Sequence, residues 1–331
     1  HVGELHHHPD AEVVAVADLD ASKFASVDEY LPASAGRYED PSELLRNEAL
    51  DMVVVAVPNA FHKPLVTEAL RSGVHVLCEK PMAMNASEAE AMLAVSREVG
   101  RRLMINFSFR FTPQAWQMKK EVDSGALGEI YFARTIWHRR RGLPGFGGWF
   151  GTKALSGGGA LIDLGVHRLD LALWLMGNPK PTYVMASTYD HIGSAMAAAQ
   201  DKHFDVEDLA VALIKFENGA TLEVEASWAA NIKERELMET RLMGTRGGLV
   251  QRNLNEGYEF EAELFLERNG SQFDMRPHAP IPDAVSSIHH FVNCIVDDVP
   301  HTATAEEGVT VMKLLDAIYA SAESGSPEKI G

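Results

Sequence analysis

The sequence predicts an α/β protein in which an N-terminal doubly wound parallel sheet precedes a C-terminal α+β domain with an open-faced, largely antiparallel mixed sheet. Its 331 residues suffice for about two domains. Before Gly125, short apolar runs alternate with helical patterns, which is typical of parallel strands covered on both faces. Beyond it the runs lengthen, and the hairpin signal Glu217-Asn218-Gly219 joins two of them. We expect a dinucleotide-binding domain over residues 1–110 and a substrate-binding and oligomerisation domain over 111–331, with the C-terminal helix a candidate to pack back on the first.

Four apolar runs in the first domain predict parallel strands, at Val13–Ala17, Met52–Val57, His75–Glu79 and Leu103–Phe107. Helical patterns separate them, which makes βαβ units with right-handed crossovers. A doubly wound sheet also needs a central first strand followed by a glycine turn. The chain instead begins in a helical pattern that leads to Val13–Ala17, so we expect that this first strand and its glycine loop are absent from the sequence.

The second domain is predicted to contain four strands and one internal helix before two closing helices. The strands are Glu129–Trp137, Tyr183–Tyr189, Leu209–Phe216 and Ala220–Trp228. The internal helix is Ala160–Met176, and the closing helices are Ala284–Val296 and Ala305–Ser324.

Composition argues against several classes of partner. The formal net charge is −17, which disfavours a nucleic-acid partner, and no apolar run reaches the ~18 residues of a membrane helix. The two cysteines fit a reducing compartment, and we expect a cytoplasmic protein. The run His6–His8 more simply ends a helix ahead of Pro9 than binds a metal, because no second cluster has ligand spacing, so no metal site is predicted.

Candidate cofactor residues follow the predicted strands. Asp18 comes directly after the first run, where an acidic side chain accepts hydrogen bonds from the ribose of NAD and repels the extra phosphate of NADP. No Lys or Arg directly follows it, so NAD is favoured and NADP is less expected. Pro58, Asn59 and His62 follow the next run, at the edge of the sheet where ligands bind. A helix cap explains Asp18 about as well. For Asn59 taken alone, an ordinary turn and helix cap is the stronger interpretation.

The segment Glu79-Lys80-Pro81 ends the third run. A lysine at this point can donate a hydrogen bond to a substrate hydroxyl and stabilise the negative charge on its oxygen. An X-Pro bond can be cis, which would fix the direction of the lysine. We expect Glu79 and Lys80 beside the cofactor, against the alternative of a solvated turn.

The segment from Gly157 to Asp170 contains the densest set of candidates. The three consecutive glycines at its start allow a close backbone approach and open a helix. Asp163 and His167 are four residues apart, so they share one face of an α-helix, and a carboxylate can orient the imidazole as a proton acceptor. Asp170 could support them. A buried His–Asp pair in a core helix is the competing interpretation.

Candidate substrate residues are less distinctive. Asn106 and Arg110 leave the fourth run and could line a polar pocket, although a paired structural arginine is an equal alternative. Arg139 and Trp149 delimit a basic, glycine-rich and aromatic loop that suits a polyhydroxylated ligand or is simply solvated.

Together these motifs resemble the glucose–fructose oxidoreductase/inositol dehydrogenase (Gfo/Idh/MocA) family over essentially the whole chain. The pair formed by Glu79-Lys80-Pro81 and the later Gly-Gly-Gly-x-x-x-Asp-x-Gly-x-His-x-x-Asp pattern is the specific part. The resemblance implies a Rossmann domain and an NAD(P)-dependent sugar or cyclitol dehydrogenase. It implies that Lys80 is the catalytic lysine, His167 the acid/base and Asp163 its polar partner.

The leading hypothesis is therefore an NAD-dependent dehydrogenase that oxidises a secondary ring hydroxyl of a sugar, glycoside or cyclitol. Lys80 polarises the oxygen, His167 takes the proton, and the hydride passes to nicotinamide C4. We expect a homodimer or homotetramer formed through the C-terminal sheet. The alternatives are a non-catalytic NAD-sensing regulator on the same scaffold and an NAD-dependent glycosidase.

Overall fold

The computed structural model describes residues 1–278 and 284–330, which fall into two compact units. The first unit comprises His1–Ala83, Ser87–Asn106 and Val285–Val309, and the second comprises Met84–Ala86, Phe107–Ala284 and Thr310–Gly331. A late segment of the chain thus belongs to the first unit. Across the described residues, no helix combines the length and apolar character that crossing a membrane requires.

The α-helices, in chain order, are α1 (Val2–His6), α2 (Pro41–Asn47), α3 (His62–Arg71), α4 (Ala86–Val99), α5 (Pro113–Asp123), α6 (Lys153–Ser156), α7 (Val166–Leu175), α8 (His191–Ala198), α9 (Ser287–Val296) and α10 (Ala305–Ser324). The strands are β1 (Ala15–Ala17), β2 (Gly36–Tyr38), β3 (Met52–Val55), β4 (His75–Cys78), β5 (Leu103–Ile105), β6 (Ile130–Arg139), β7 (Pro181–Tyr189), β8 (Leu209–Phe216), β9 (Thr221–Ser227), β10 (Glu236–Gly244), β11 (Gly247–Leu254), β12 (Glu259–Arg268), β13 (Ser271–Met275) and β14 (Glu328–Lys329).

The strands of the first unit are all parallel and form two small sheets. One sheet pairs β1 with β2, and the other has the order β3-β4-β5. In the described part of the chain these two sheets share no strand pairing. A cavity of about 1050 Å³ is lined by residues of β1 and β3, mostly apolar. The apolar runs predicted as parallel strands are therefore confirmed as such, each shorter than the sequence indicated.

The second unit is built on one nine-stranded sheet of order β13-β12-β11-β10-β6-β9-β8-β7-β14. All its neighbours pair antiparallel except β6 and β9, which are parallel, so the sheet is mixed as predicted. Burial alternates along β8 and β9, which leaves one face packed and one face open. The fold class predicted from the sequence is confirmed.

The second unit differs from the sequence-based prediction in several features, among them four further strands and the first part of the helix Ala160–Met176. The strands β10 to β13 were not predicted, since charged residues interrupt their apolar alternation. The predicted helix Ala160–Met176 is continuous, but its first part, Leu161–Gly165, is a π-helix and only Val166–Leu175 is α-helical. Hydrophobic periodicity does not distinguish a π-turn from an α-turn over so few residues.

The sheet of the second unit carries ion pairs between neighbouring strands. Glu225 of β9 accepts a hydrogen bond from Arg134 of β6. Its Oε2 lies 3.2 Å from Nε2 of His138, which is also on β6. The adjacent His138 imidazole is the main cause of a lowered pKa for the Glu225 carboxyl, and Arg134 adds to the effect, which brings this pKa to about 2. Ionised Glu225 therefore stabilises the sheet above its unfolded-state pKa, and this contribution disappears as the pH falls through the folded-state value.

We expect the unfolding free energy of Glu225→Gln to fall less steeply at acid pH than that of the wild type. The pKa of Glu225 lies at about 4.5 ordinarily and about 2 in the fold, so wild-type stability should fall more steeply than that of the variant between these pH values. Urea unfolding measured from pH 7 to pH 2 gives both curves. Parallel curves over this window would contradict the assignment.

Candidate active site

The candidate residues fall into two groups, one in each unit. The first unit contains the cofactor candidates Asp18, Pro58, Asn59, His62, Glu79 and Lys80, together with Asn106. The second unit contains Arg110, Arg139, Trp149, Asp163 and His167.

Asp18 lies directly after β1 with its side chain exposed. Its Oδ1 accepts a hydrogen bond from the backbone N–H of Asp20 at 2.8 Å, which fixes the carboxylate at the start of the following turn. Asp18 and Val57, which follow β1 and β3, both line the cavity of the first unit. An exposed carboxylate at the carboxyl end of a parallel strand fits the ribose hydroxyls of NAD.

His62 joins the segments that follow β3 and β4. Its side chain is fully buried, with Nδ1 2.8 Å from the carbonyl oxygen of Pro81 and Nε2 2.9 Å from that of Val57. Burial lowers the pKa of the His62 imidazole. Pro58 precedes the short 3₁₀ turn Asn59–Phe61, and Asn59 is 3% exposed. The observed contacts of His62 are thus internal, and cofactor contact by these three residues stays a prediction.

Glu79 is held by a chain of hydrogen bonds that reaches α9. Asn106 donates from Nδ2 to Oε1 of Glu79 at 2.6 Å, and Ser287 donates from Oγ to Oδ1 of Asn106 at 2.6 Å. The backbone N–H of Lys80 donates to the other oxygen of Glu79 at 3.2 Å. Burial by itself raises the pKa of Glu79, but the hydrogen bonds from His1 and Asn106 outweigh it and lower the pKa.

These contacts fix the backbone from which Lys80 projects. Its side chain is half-buried, and the Lys80–Pro81 peptide bond is cis, as the sequence suggested it could be. Both ends of the Asn106 amide are engaged within the first unit, by Glu79 and Ser287. Direct substrate contact by Asn106 stays a prediction.

The glycine turn of the second unit surrounds a buried carboxylate. Glu207 accepts hydrogen bonds from the backbone N–H groups of Gly159 and Leu161 at 2.8 and 2.9 Å, and from Tyr319 Oη at 2.9 Å. A Cβ at position 159 would collide with the backbone carbonyl of Glu207, so only glycine fits there. Burial raises the pKa of Glu207 despite these three donors.

Asp163 and His167 are the accessible residues of an otherwise closed segment. From Ala160 to Leu175 every residue is buried except these two, which are half-buried. Asp163 lies in the π-helix and His167 in the first turn of α7. The spacing of these two residues predicts that one regular α-helical turn separates them. The structure differs, because Asp163 lies in the π-helix and His167 in the α-helix that follows. π-Helical turns occur frequently at functional sites.

Aromatic rings surround the imidazole of His167. Its ring centroid lies 4.9 Å from that of Phe109 and 5.8 Å from that of Trp137. Asp163 accepts a hydrogen bond at Oδ2 from the indole Nε1 of Trp228 at 2.9 Å. A partly accessible imidazole of this kind can take a proton from a bound hydroxyl.

Arg168 is a fully buried cation next to this pair. Its guanidinium lies over the rings of Phe109, Phe260 and Trp137 at 5.2, 5.3 and 5.9 Å, and Nη1 donates to Gln251 at 3.0 Å. Within the described residues, Nε and Nη2 have no hydrogen-bond acceptor. Burial lowers the pKa of Arg168 to about 9.

Arg110 forms a buried ion pair with Asp170. Nε and Nη2 donate to the two carboxylate oxygens at 2.7 and 2.5 Å, and both side chains are 1% exposed. This is the paired arginine that the sequence analysis kept as an alternative. The carboxylate occupies one edge of the guanidinium, and contact between Arg110 and substrate stays a prediction.

Arg139 and Trp149 have local partners as well. Arg139 donates to Glu236 at 2.8 Å and to the hydroxyl of Tyr258 at 2.7 Å. Trp149 stacks on Phe150 with centroids 3.9 Å apart. Their predicted roles in substrate binding remain predictions.

Sequence reasoning missed five residues that hold the candidate groups, namely Trp228, Glu207, Tyr319, Arg168 and Ser287. Each of the five lies tens of residues or more along the chain from a group that it contacts. Arg168 directly follows His167. An arginine next to polar residues is ordinarily expected to be exposed, but Arg168 is buried. No periodic signal in the sequence identifies such partners.

Two family models match this chain, one in its N-terminal part and one in its C-terminal part. A family model described as "Oxidoreductase family, NAD-binding Rossmann fold" matches residues 1–107, and one for the GFO/IDH/MocA C-terminal domain matches residues 115–250. The chain is 34% identical over 324 residues to D-glucoside 3-dehydrogenase of Escherichia coli, covering 96% of this chain and 90% of the relative. The chain belongs to the Gfo/Idh/MocA family. The resemblance stated from the motifs is confirmed, and the protein is an oxidoreductase with an NAD-binding Rossmann fold.

Two further proteins align over the whole of this chain. The inositol 2-dehydrogenase of Rubrobacter xylanophilus is 27% identical, with 100% of this chain and 89% of the relative aligned. The crystal structure of GenD2 from gentamicin A biosynthesis in complex with NAD matches with a TM-score of 0.79 and 27% identity, covering 100% of this chain and 92% of that chain.

We expect Asp170→Asn to destabilise the protein strongly. The substitution removes the charge of the carboxylate that pairs with the buried Arg110 guanidinium, which typically costs about 3–5 kcal/mol of unfolding free energy. Urea unfolding measures the loss. Asp123→Asn, which removes the largely exposed partner of Lys119, is the matched control and should cost about 0.5 kcal/mol or less. Equal losses for the two variants would contradict the assignment.

Proposed function

We propose that this member of the Gfo/Idh/MocA family oxidises a secondary ring hydroxyl of a sugar, glycoside or cyclitol with NAD. The observation that carries the proposal is the selective exposure of Asp163 and His167 within an otherwise buried segment. A core histidine needs no such access, whereas a residue that exchanges protons with a substrate does. Two relatives, a D-glucoside 3-dehydrogenase and an inositol 2-dehydrogenase, carry names that support the substrate class.

Each protein group has a defined task in this proposal. The ammonium group of Lys80 donates a hydrogen bond to the alcohol oxygen and stabilises the negative charge that develops there. The imidazole of His167 takes the hydroxyl proton, and Asp163 keeps the imidazole and substrate oriented. NAD, when bound, supplies the hydride acceptor at nicotinamide C4. Asp18 accepts hydrogen bonds from its ribose hydroxyls.

We further propose a cytoplasmic homodimer or homotetramer that assembles through the open face of the nine-stranded sheet. Met185 and Leu213 are opposite each other on β7 and β8 and are 42% and 46% exposed. Tyr183, two residues from Met185 on the same face, is 48% exposed. Neighbouring apolar side chains exposed in this way favour a protein partner.

A substrate panel tests the proposed function with the full-length protein. NADH formation at 340 nm is followed with methyl glucosides, free aldoses and inositols. Lys80→Met should lower kcat by roughly 10²–10³-fold, because it removes the charge that stabilises the developing oxyanion. The Kd for NAD should change less than about threefold, and Lys180→Met, at a side chain 72% exposed, is the matched control.

Two results would contradict this proposal. Full turnover by Lys80→Met would remove the lysine from the mechanism. Release of an aglycone from an aryl glycoside without net NADH would favour the glycosidase alternative, and NAD binding without turnover of any panel member would favour the sensor.

We expect Asp18 to determine the preference for NAD. In the double variant Asp18→Ser/Leu19→Arg the carboxylate is lost and a guanidinium is gained at a side chain that is 83% exposed. An arginine binds the 2′-phosphate of NADP through charge-assisted hydrogen bonds. The ratio of kcat/KM for NADP to that for NAD should rise by roughly 10²-fold. Leu19→Ala is the control, and an unchanged ratio in the double variant would place the ribose elsewhere.

A further inference from the structure

Trp228 is deeply buried, and its side chain makes a directed hydrogen bond. It follows β9, is 0% exposed, and is among the largest fully buried side chains of the chain. Its backbone N–H donates to the carbonyl of Asp208 and its carbonyl accepts from Gly142, each at 2.8 Å. Both sides of its peptide backbone are therefore fixed.

The indole ring has little freedom to move. It packs in a hydrophobic cluster that includes Leu164, Met238 and Phe260, and its centroid lies 6.4 Å from that of Phe204. An indole has one polar atom, the Nε1–H donor, and leaving a buried donor unpaired costs about 1–3 kcal/mol. In this cluster Nε1 donates to Oδ2 of Asp163 at 2.9 Å.

Asp163 needs such a partner because of where it lies. The π-helix Leu161–Gly165 lacks the regular i to i+4 geometry that sets side-chain directions in an α-helix. The carboxylate is also half-buried, so packing alone does not fix its χ angles. A rigid donor that reaches it from β9 restricts the carboxylate to one direction.

We infer that Trp228 is a positioning residue, whose indole N–H holds the carboxylate of Asp163 in the orientation used for substrate and His167. The effect on turnover rests on the proposed function. The hydrogen bond itself does not, and it can be tested without any substrate.

The first experiment is a ¹H–¹⁵N spectrum of the indole groups in the full-length protein. The chain has five tryptophans, and Trp228→Phe identifies the Trp228 signal by its loss. In Asp163→Ala that signal should move upfield in ¹H, because the indole N–H proton of Trp228 loses a charged hydrogen-bond acceptor. The Trp137 indole donates to Glu236 at 2.7 Å, and its signal should stay in place. An unmoved Trp228 signal would overturn the inference.

The second experiment measures turnover. Trp228→Phe keeps an aromatic ring in the cluster but removes the donor, and kcat should fall roughly tenfold or more while the Kd for NAD is unchanged. Trp116→Phe, at a tryptophan of α5 whose ring packs against those of Phe111 and Trp174, is the control and should stay within about twofold. A merely structural role would lower the melting temperature of Trp228→Phe without changing kcat, and that result would overturn the positioning role.

The two arms separate the possible failures. If the wild-type protein oxidises no member of the sugar panel, the proposed function fails, and the indole spectrum alone decides whether Trp228 holds Asp163. If the wild type is active and the spectrum shifts but kcat of Trp228→Phe is unchanged, the hydrogen bond exists and the inferred role is wrong.

Discussion

The candidate site of the second unit depends on the hydrogen bonds that the buried carboxylate of Glu207 accepts from the glycine turn. Burying a charged or polar group is unfavourable unless its hydrogen-bonding capacity is met, and here two backbone N–H groups and a tyrosine hydroxyl meet it. The glycine turn has no side chains with which to hold itself. Glu207 therefore fixes where the π-helix begins, and the positions of Asp163 and His167 follow from that starting point.

The first unit uses the same physical device around Lys80. Glu79 accepts hydrogen bonds from Asn106 and from the backbone of Lys80, and Ser287 of α9 completes the chain. His62, fully buried, lies against the carbonyls of Val57 and Pro81. A loop that follows a strand is ordinarily mobile, and these contacts remove that freedom from the segment that presents the lysine.

The sequence was sufficient for the features that depend on local pattern. Apolar runs identified four of the five parallel strands of the first unit but not β2, and residue types at strand ends identified Asp18 and Lys80 as candidates. Features that depend on long-range contact were not predictable. The hydrogen bond from Trp228 to Asp163 spans 65 residues, and that from Tyr319 to Glu207 spans 112. The π-helix was not predicted for another reason, because its five residues have the same apolar periodicity as an α-helix.

A reacting side chain must be reachable by substrate, so burial cannot hold it in place, and its orientation has to come from neighbours that are themselves immobile. The chain follows this division. Lys80, Asp163 and His167 are half-buried, whereas Trp228, Arg168 and Asn106 are at most 5% exposed. Arg168 illustrates the cost, because its buried guanidinium lies over aromatic faces and its pKa is lowered by burial despite the attraction of the Glu239 carboxylate. A planar guanidinium stacks on such faces where an ammonium does not, so lysine is not an equivalent replacement at this position. The rings of Phe109 and Trp137 contact both Arg168 and His167, and the packing of the buried cation therefore helps to fix the imidazole.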